Sequence, residues 1–165
     1  MEPLDFEVKK TVKQFHSNYR LHDQATKAIV PIIYNMGFKL KPFGEDARYL
    51  KVWAKGQDKP DAILTKNGKD LAFIEWKGHS HRTWMLNSRA YRSYLEHGRK
   101  HQLPVILIWY ITSEDKAYYV TLPFKKARIK YMKHNGNWVT ELKSTKQLTP
   151  LSQLKDEFQP TLTKF

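Results

Sequence analysis

The sequence predicts an α/β fold in which helices flank a mixed β-sheet, and three observations support this. Residues 105–111 (VILIWYI) lack polar alternation, which is typical of a strand covered on both faces. Two further apolar stretches, 61–65 and 70–77, flank Asn67-Gly68 and predict a β-hairpin. One helical pattern precedes these strands and another lies between them, as expected if helices cover both faces of the sheet.

Two helical stretches open the chain. Residues 5–20 are expected to form a weakly amphipathic helix. Residues 22–38 predict a stronger helix, because apolar residues recur at three- and four-residue steps and Gly37 provides a C-cap. Pro31 lies inside this pattern, so the helix is expected to be kinked or to start late.

The elements around and after the hairpin can also be assigned. Residues 49–54 predict a strand before the hairpin, and residues 87–102 predict a basic helix after it. Strands are expected at 105–111 and 117–122, and a short hairpin within 127–142 is expected to turn at Asn135-Gly136.

The chain is expected to form one domain, because no linker or composition shift divides its 165 residues. We expect a single domain at 1–165, with its core at about 20–125 and a peripheral C-terminal segment at 126–165. The last 15 residues or so are polar and are expected to be peripheral.

The composition favours a polyanionic partner. Lys and Arg number 29 against 16 Asp and Glu, a net charge of +13. Nucleic acid is the first candidate and an anionic membrane surface the second, while a simply very soluble basic protein is the alternative. The absence of cysteine excludes disulfides and thiolate zinc sites. No apolar run is long enough to span a membrane and the N-terminus is unlike a signal peptide, so we expect a cytoplasmic protein, or an intracellular one in a virus-infected host.

Three charged residues stand out in the hairpin strands: Asp61, Glu75 and Lys77. Glu75 and Lys77 share one face because side chains alternate along a strand, and Asp61 lies on the neighbouring strand. If the three converge, two carboxylates can hold Mg²⁺ and Lys77 can orient water or stabilise a transition state, as phosphodiester hydrolysis requires. The alternative is an ordinary exposed strand face, on which Glu and Lys are common.

The convergence of these residues depends on the register of the hairpin. A two-residue turn at Asn67-Gly68 would place Asp61 on the face opposite Glu75. A shared site therefore predicts a three-residue loop, Lys66-Asn67-Gly68, or a bulge near Asp61.

The PD at 60–61 and the EWK at 75–77 resemble the PD-(D/E)xK nuclease motif. The resemblance covers about residues 20–125 and is closest to the small dimeric Holliday-junction resolvases. It implies a restriction-endonuclease-like fold, with Asp61 and Glu75 as metal ligands and Lys77 as the catalytic lysine. It further implies a homodimeric endonuclease that cuts branched DNA and depends on Mg²⁺, with Mn²⁺ as a substitute.

These nucleases also carry an acidic residue, usually Glu, on the helix before the sheet. That helix has no Glu here, so Asp23 at its start is the nearest candidate ligand and Glu45 the second. A non-catalytic nucleic-acid-binding protein that keeps the fold is therefore an alternative, as is a nuclease acting on linear DNA or RNA.

Basic residues in two segments are expected to contact phosphates, although a solvated helix face is the alternative for the first. The segments comprise Arg82, Arg89, Arg92, Arg99 and Lys100, and then Lys125 and Lys126 with Arg128, Lys130 and Lys133. His79 and His81 lack an evident third metal ligand, so a phosphate-contacting loop is favoured there. Most aromatic residues lie in apolar strands and are expected to pack in the core.

Overall fold

The computed structural model describes residues 12–43, 58–134 and 136–159. The helices are α1 (Val12–Asn35) and α2 (Ser88–His101), with 3₁₀ helices at Thr145–Gln147 and Leu151–Phe158. The strands are β1 (Lys39–Pro42), β2 (Ala62–Lys66), β3 (Lys69–His79), β4 (Met85–Asn87), β5 (Val105–Ile111), β6 (Lys116–Thr121), β7 (Ala127–Met132), β8 (Asn137–Leu142) and β9 (Thr149–Pro150).

Six strands form the main sheet in the order β1-β2-β3-β5-β6-β9. β3 and β5 run parallel, whereas the other neighbours in this sheet are antiparallel. Strands β4, β8 and β7 form a second, three-stranded antiparallel sheet. The predicted α/β class with a mixed sheet is therefore confirmed. None of the helices in the described ranges is long and apolar enough to cross a membrane.

Helix α1 covers one face of the main sheet. Ala25, Ile29 and Ile33 are fully buried there, against a set of sheet residues that includes Ile74 and Trp76. The helix runs from Val12 through Pro31, so the prediction of a late start was wrong, while the predicted kink is not tested. Residues 12–20 are helical as predicted but belong to this same helix rather than to a separate one, and residues 5–11 lie outside the described residues. The apolar stripe continues on both sides of the proline, and its burial offsets the one missing backbone hydrogen bond.

Gly78 explains how closely α1 approaches the sheet. A Cβ at this position would lie 2.1 Å from the carbonyl oxygen of Leu21, so the strand and the helix backbone meet where no side chain intervenes. Trp76 adds a hydrogen bond from its Nε1 to Oγ1 of Thr26, at 2.8 Å. Both contacts fix β3 against the first half of α1.

Helix α2 covers the opposite face. Its Ala90 and Tyr94 pack with Phe73, Leu107 and Trp109 of the main sheet. The predicted helix at 87–102 and strands at 105–111 and 117–122 agree with α2, β5 and β6 to within a residue. The short hairpin predicted within 127–142 is also confirmed, as β7 and β8.

The C-terminal segment contributes to the core, contrary to the expectation of a peripheral tail. Leu151 and Leu154 are buried in the cluster beneath α1, and β9 pairs with β6 at the sheet edge. Phe158 packs edge-on against Phe38. Three apolar residues in an otherwise polar stretch are enough to fix it. The short strands β1 and β4 were not predicted, and the strand predicted at 49–54 lies outside the described residues.

Candidate active site

The β2–β3 hairpin has a two-residue turn followed by a bulge. Asn67 and Gly68 both have positive φ, and Lys66 pairs with Lys69 across them. The register then shifts, because Thr65 pairs with Asp70 but Leu64 pairs with Ala72, which leaves Leu71 without a partner. The predicted three-residue loop was therefore wrong, and the bulge lies near the turn rather than near Asp61.

This bulge brings Asp61 opposite Glu75. On the side of the bulge away from the turn, Ala62 pairs with Ile74, so Asp61 and Glu75 are the next two residues to face each other along the strands. The backbone N–H of Asp61 donates to Oε2 of Glu75 at 3.0 Å, and the N–H of Trp76 donates to Oδ2 of Asp61 at 3.0 Å. The structure thus brings together the two carboxylates that the sequence predicted as one site.

Lys77 completes the group. Its Nζ lies 2.9 Å from Oε1 of Glu75, two residues earlier on the same face of β3. Glu75 is only 4% exposed, whereas the Lys77 side chain is 39% exposed. Lys77 therefore reaches from a buried carboxylate toward solvent, where a phosphate can meet it.

Tyr94 is a fourth member of this site, which the sequence analysis missed. Its hydroxyl donates to Oε1 of Glu75 at 2.8 Å, and the residue is buried on α2. The sequence signal that could have identified Tyr94 as buried is the four-residue spacing of Ala90, Tyr94 and Gly98, which is typical of the buried face of a helix. A buried tyrosine on such a face usually finds a partner for its hydroxyl, and here the partner is Glu75.

The electrostatics of the group are those of two carboxylates held close together. Burial raises the pKa of Asp61 well above its usual value, and the neighbouring charge of Glu75 raises it further. Burial lowers the pKa of Lys77, but the charges of Glu75, Tyr94 and Asp61 outweigh this effect, so its pKa is raised overall. Lys77 is therefore a stable cation that donates hydrogen bonds, rather than a base.

The segment that leads into Asp61 is held by α2. Nε of Arg89 lies 2.8 Å from Oδ2 of Asp58, and the hydroxyl of Ser93, one turn later, donates to the carbonyl oxygen of Asp58. These contacts fix the chain three residues before Asp61. Arg89 thus has a structural ion pair, and its predicted contact with phosphate stays a prediction.

A third acidic ligand is not in place among the described residues. Asp23 lies exposed on α1, the helix that covers the face opposite Glu75. No three His, Asp or Glu side chains within 12–43, 58–134 and 136–159 form a group able to hold a metal ion. The alternative ligand, Glu45, lies outside the described residues.

The other predicted phosphate contacts are spread over the surface. Arg82 forms a two-point ion pair with Glu114, with both distances 2.8 Å, and Arg99 pairs with Glu96. The exposed candidates are Arg92, Lys100, Lys125, Lys126 and Lys133, whereas Arg128 and Lys130 pair with Glu141. Their binding to nucleic acid stays a prediction.

The two histidines after the motif differ in their surroundings. His79 is the last residue of β3, not a loop residue, and its Nε2 is buried without a hydrogen-bond partner in the described part of the chain. Burial, together with the charge of Lys77, lowers the pKa of His79 to about 4, so its ring is neutral at pH 7. His81 is exposed.

Comparison with known proteins gives a structural relative but no sequence relative. No protein-family model and no curated protein matches the sequence. Among solved structures, the fold is similar to that of Hjc, a Holliday junction resolvase from the archaeal hyperthermophile Archaeoglobus fulgidus. The match has a TM-score of 0.57 and 8% sequence identity, and it covers 81% of this chain and 98% of that chain. The chain therefore has the fold of this resolvase, a mixed sheet between helices.

Proposed function

We propose that this protein is a metal-dependent endonuclease that cuts branched DNA. The observation that carries the proposal is the grouping of Asp61, Glu75 and Lys77 on neighbouring strands of a resolvase-like fold. The net charge of +13 supplies the complement to a DNA backbone. Metal-dependent phosphodiester hydrolysis uses acidic metal ligands and a nearby cation, and this group contains both.

The residues at the site fit a hard divalent cation. Asp61 and Glu75 offer carboxylate oxygens, which Mg²⁺ and Mn²⁺ prefer over nitrogen or sulfur ligands. Burial and then the charge of Glu75 raise the pKa of Asp61, and a bound cation would relieve the repulsion between the two carboxylates. Asp61 and Glu75 would hold the ion, with Asp23 or Glu45 as the proposed further ligand. The bound ion would activate water and neutralise charge on the phosphate.

The protein residues have separate tasks in this proposal. Lys77, kept positively charged, donates hydrogen bonds to the scissile phosphate as negative charge accumulates on it. Tyr94 holds Oε1 of Glu75, and the N–H of Asp61 holds Oε2, so the buried carboxylate keeps one orientation. The N–H of Trp76 does the same for Asp61. Preorganisation of this kind avoids the cost of reorienting groups during the reaction.

The choice of branched DNA and of a homodimer rests on the similarity to a Holliday junction resolvase. Symmetric cleavage of a four-way junction requires two active sites, and a two-fold dimer supplies them. Basic residues on the loop after β3 and on α2, such as Arg82 and Arg92, would contact phosphates beside the site.

A second candidate function is DNA binding without cleavage. It is favoured by one observation: the described residues supply two carboxylates but no third acidic ligand at the site. A chain of this kind would keep the fold and the positive charge and would bind junctions without cutting them.

One cleavage assay separates these candidates. The purified protein is incubated with labelled four-way junction, flap, linear duplex and single-stranded RNA, in Mg²⁺, in Mn²⁺ and in EDTA. We expect metal-dependent cutting with the junction preferred. Binding of the junction in EDTA without cutting in either metal would favour the second candidate, and a preference for linear DNA or RNA would replace the proposed substrate.

Two substitutions connect the activity to the site. Glu75→Gln removes a ligand charge and Lys77→Met removes the cation at nearly constant volume. Each should lower the cleavage rate by roughly 10²–10³-fold, as losses of preorganised electrostatic groups do. Junction affinity in EDTA should stay close to wild type. If Lys77→Met cuts as fast as wild type, then Lys77 is an ordinary strand lysine; if it loses affinity and rate equally, it is a phosphate anchor.

A further inference from the structure

The hairpin formed by β7 and β8 concentrates positive charge. Residues 125–146 contain seven Lys and Arg against one carboxylate, Glu141, so 22 residues carry +6 of the net charge of +13. Arg128 and Lys130 pair with Glu141 on one face of the hairpin. Lys125, Lys126 and Lys133 are exposed at the two ends of β7. The hairpin is thus suited to a polyanion.

The other face of the same hairpin exposes apolar side chains. Ile129 is 55% exposed and Tyr131 is 43% exposed, and they are two of the three exposed large hydrophobic residues among those described. They lie two residues apart and therefore share a face. Tyr131 contacts Trp138 of β8, with ring centroids 5.4 Å apart. An aromatic and apolar strip therefore lies within a strongly basic segment.

The hairpin is attached to the same side of the main sheet as the carboxylates. β8 pairs with β4, which runs directly into α2, and Thr140 hydrogen-bonds Ser88 at the start of that helix, at 2.9 Å. Leu142 packs in the cluster beneath α2. Since α2 also carries Tyr94, which contacts Glu75, the hairpin and the candidate active site share one support.

We propose that the β7–β8 hairpin is a DNA-contacting arm, in which Ile129 and Tyr131 pack against unstacked bases while the flanking lysines hold phosphates. Aromatic side chains bind any base by stacking, and a basic surround supplies sequence-independent affinity. A fully paired duplex hides its base faces, so the arm should favour DNA that opens at a branch or is single-stranded. The inference rests on the proposed function for its substrate class but does not require that the protein cuts DNA.

The test measures DNA binding without metal, so that it is independent of cleavage. Tyr131→Ala, Tyr131→Phe and Tyr34→Ala are compared with wild type by fluorescence anisotropy in EDTA. Tyr34 is the matched control, since it is 47% exposed but lies on α1, against the opposite face of the sheet. The ligands are a four-way junction, a single strand and a linear duplex of equal length. Circular dichroism and sedimentation establish the fold and the assembly state of each variant.

We expect Tyr131→Ala to weaken binding to the junction and to the single strand by about 5- to 100-fold, the loss of one stacking aromatic. Duplex binding should change by less than about threefold, because phosphate contacts dominate there. Tyr131→Phe keeps the ring and should bind like wild type, as should Tyr34→Ala. The salt dependence of binding should not change in Tyr131→Ala, whereas replacing Lys125 and Lys126 with Gln should reduce the slope by about two.

Three results would overturn the proposal. Wild-type affinity of Tyr131→Ala for all three ligands would exclude base contact. An equal loss for all three ligands would mean that the arm has no preference for exposed bases. A change in sedimenting mass would instead identify β7 as an edge that pairs with a second copy of the chain. If the wild-type protein binds as described but never cuts DNA, the proposed endonuclease activity fails while the arm stands.

Discussion

Replacing Tyr94 with Phe removes a single oxygen from the candidate active site. The ring stays in place and leaves no cavity, but Glu75 loses the hydroxyl that donates to its Oε1 at 2.8 Å. Because Glu75 is only 4% exposed, water cannot readily replace that donor. A hydrogen bond to a charged group contributes about 1.5–3 kcal/mol, so the free energy of unfolding should fall by that amount.

The same substitution should lower the affinity of the site for Mg²⁺. Glu75 keeps Lys77 and the N–H of Asp61 as partners but loses one of the contacts that orient its carboxylate. Residues that orient metal ligands typically change metal affinity or activity by 10- to 100-fold. We expect Tyr94→Phe to need about 10-fold more Mg²⁺ for half-maximal cleavage of a four-way junction, with most of the rate restored at high Mg²⁺.

The control is Tyr91→Phe on the same helix. The Tyr91 hydroxyl accepts a hydrogen bond from the N–H of Phe124 at 2.9 Å, away from the carboxylates. This variant should lose about 1 kcal/mol of stability in urea unfolding and keep its Mg²⁺ dependence. The reasoning is refuted if Tyr94→Phe requires no more Mg²⁺ than wild type, or if Tyr91→Phe shifts the Mg²⁺ dependence equally.

Three further predictions concern stability, measured by unfolding in EDTA. The raised pKa of Asp61 means that the folded state binds the Asp61 proton more tightly than the unfolded state does, so protonated Asp61 contributes stability that is lost as pH rises through the folded pKa. Asp61→Asn should therefore have a higher melting temperature than wild type at pH 7, and this difference should disappear near pH 3. His79 has the opposite effect: because its pKa is about 4 in the folded state against 6.5, the free energy of unfolding should fall by roughly 3 kcal/mol as pH falls from 6.5 to 4. His79→Gln should reduce this fall, and a pH profile of stability equal to that of wild type would contradict the burial of the ring. Gly78→Ala should destabilise by about 1–3 kcal/mol or more, because its Cβ would lie 2.1 Å from the Leu21 carbonyl oxygen, and a change below about 0.5 kcal/mol would mean that α1 can move away from β3 at no cost.

Patterns within single elements could be predicted from the sequence, whereas contacts between elements could not. The apolar run at 105–111 and the Asn67-Gly68 turn identified β5 and the hairpin, and the charges in the hairpin identified Asp61, Glu75 and Lys77. The bulge at Leu71 was misplaced, because no residue type there distinguishes it from regular pairing. Tyr94 was missed because its partner lies on another element, and a helix pattern shows only that a residue is buried.

The bulge at Leu71 makes the length of the hairpin, rather than its composition, the constrained quantity. A strand has a two-residue period, so adding or deleting one residue between Asp61 and Glu75 turns one carboxylate toward α1, unless the bulge, which is itself one extra residue on β3, is gained or lost at the same time. Substitutions that keep the turn geometry should be tolerated at positions 65–70, whereas a single-codon insertion or deletion there should keep the site only where the bulge absorbs the change in length. Diverged relatives of this chain should therefore differ freely in the sequence of this hairpin, and a change of its length by one residue should coincide with the loss or gain of a bulge.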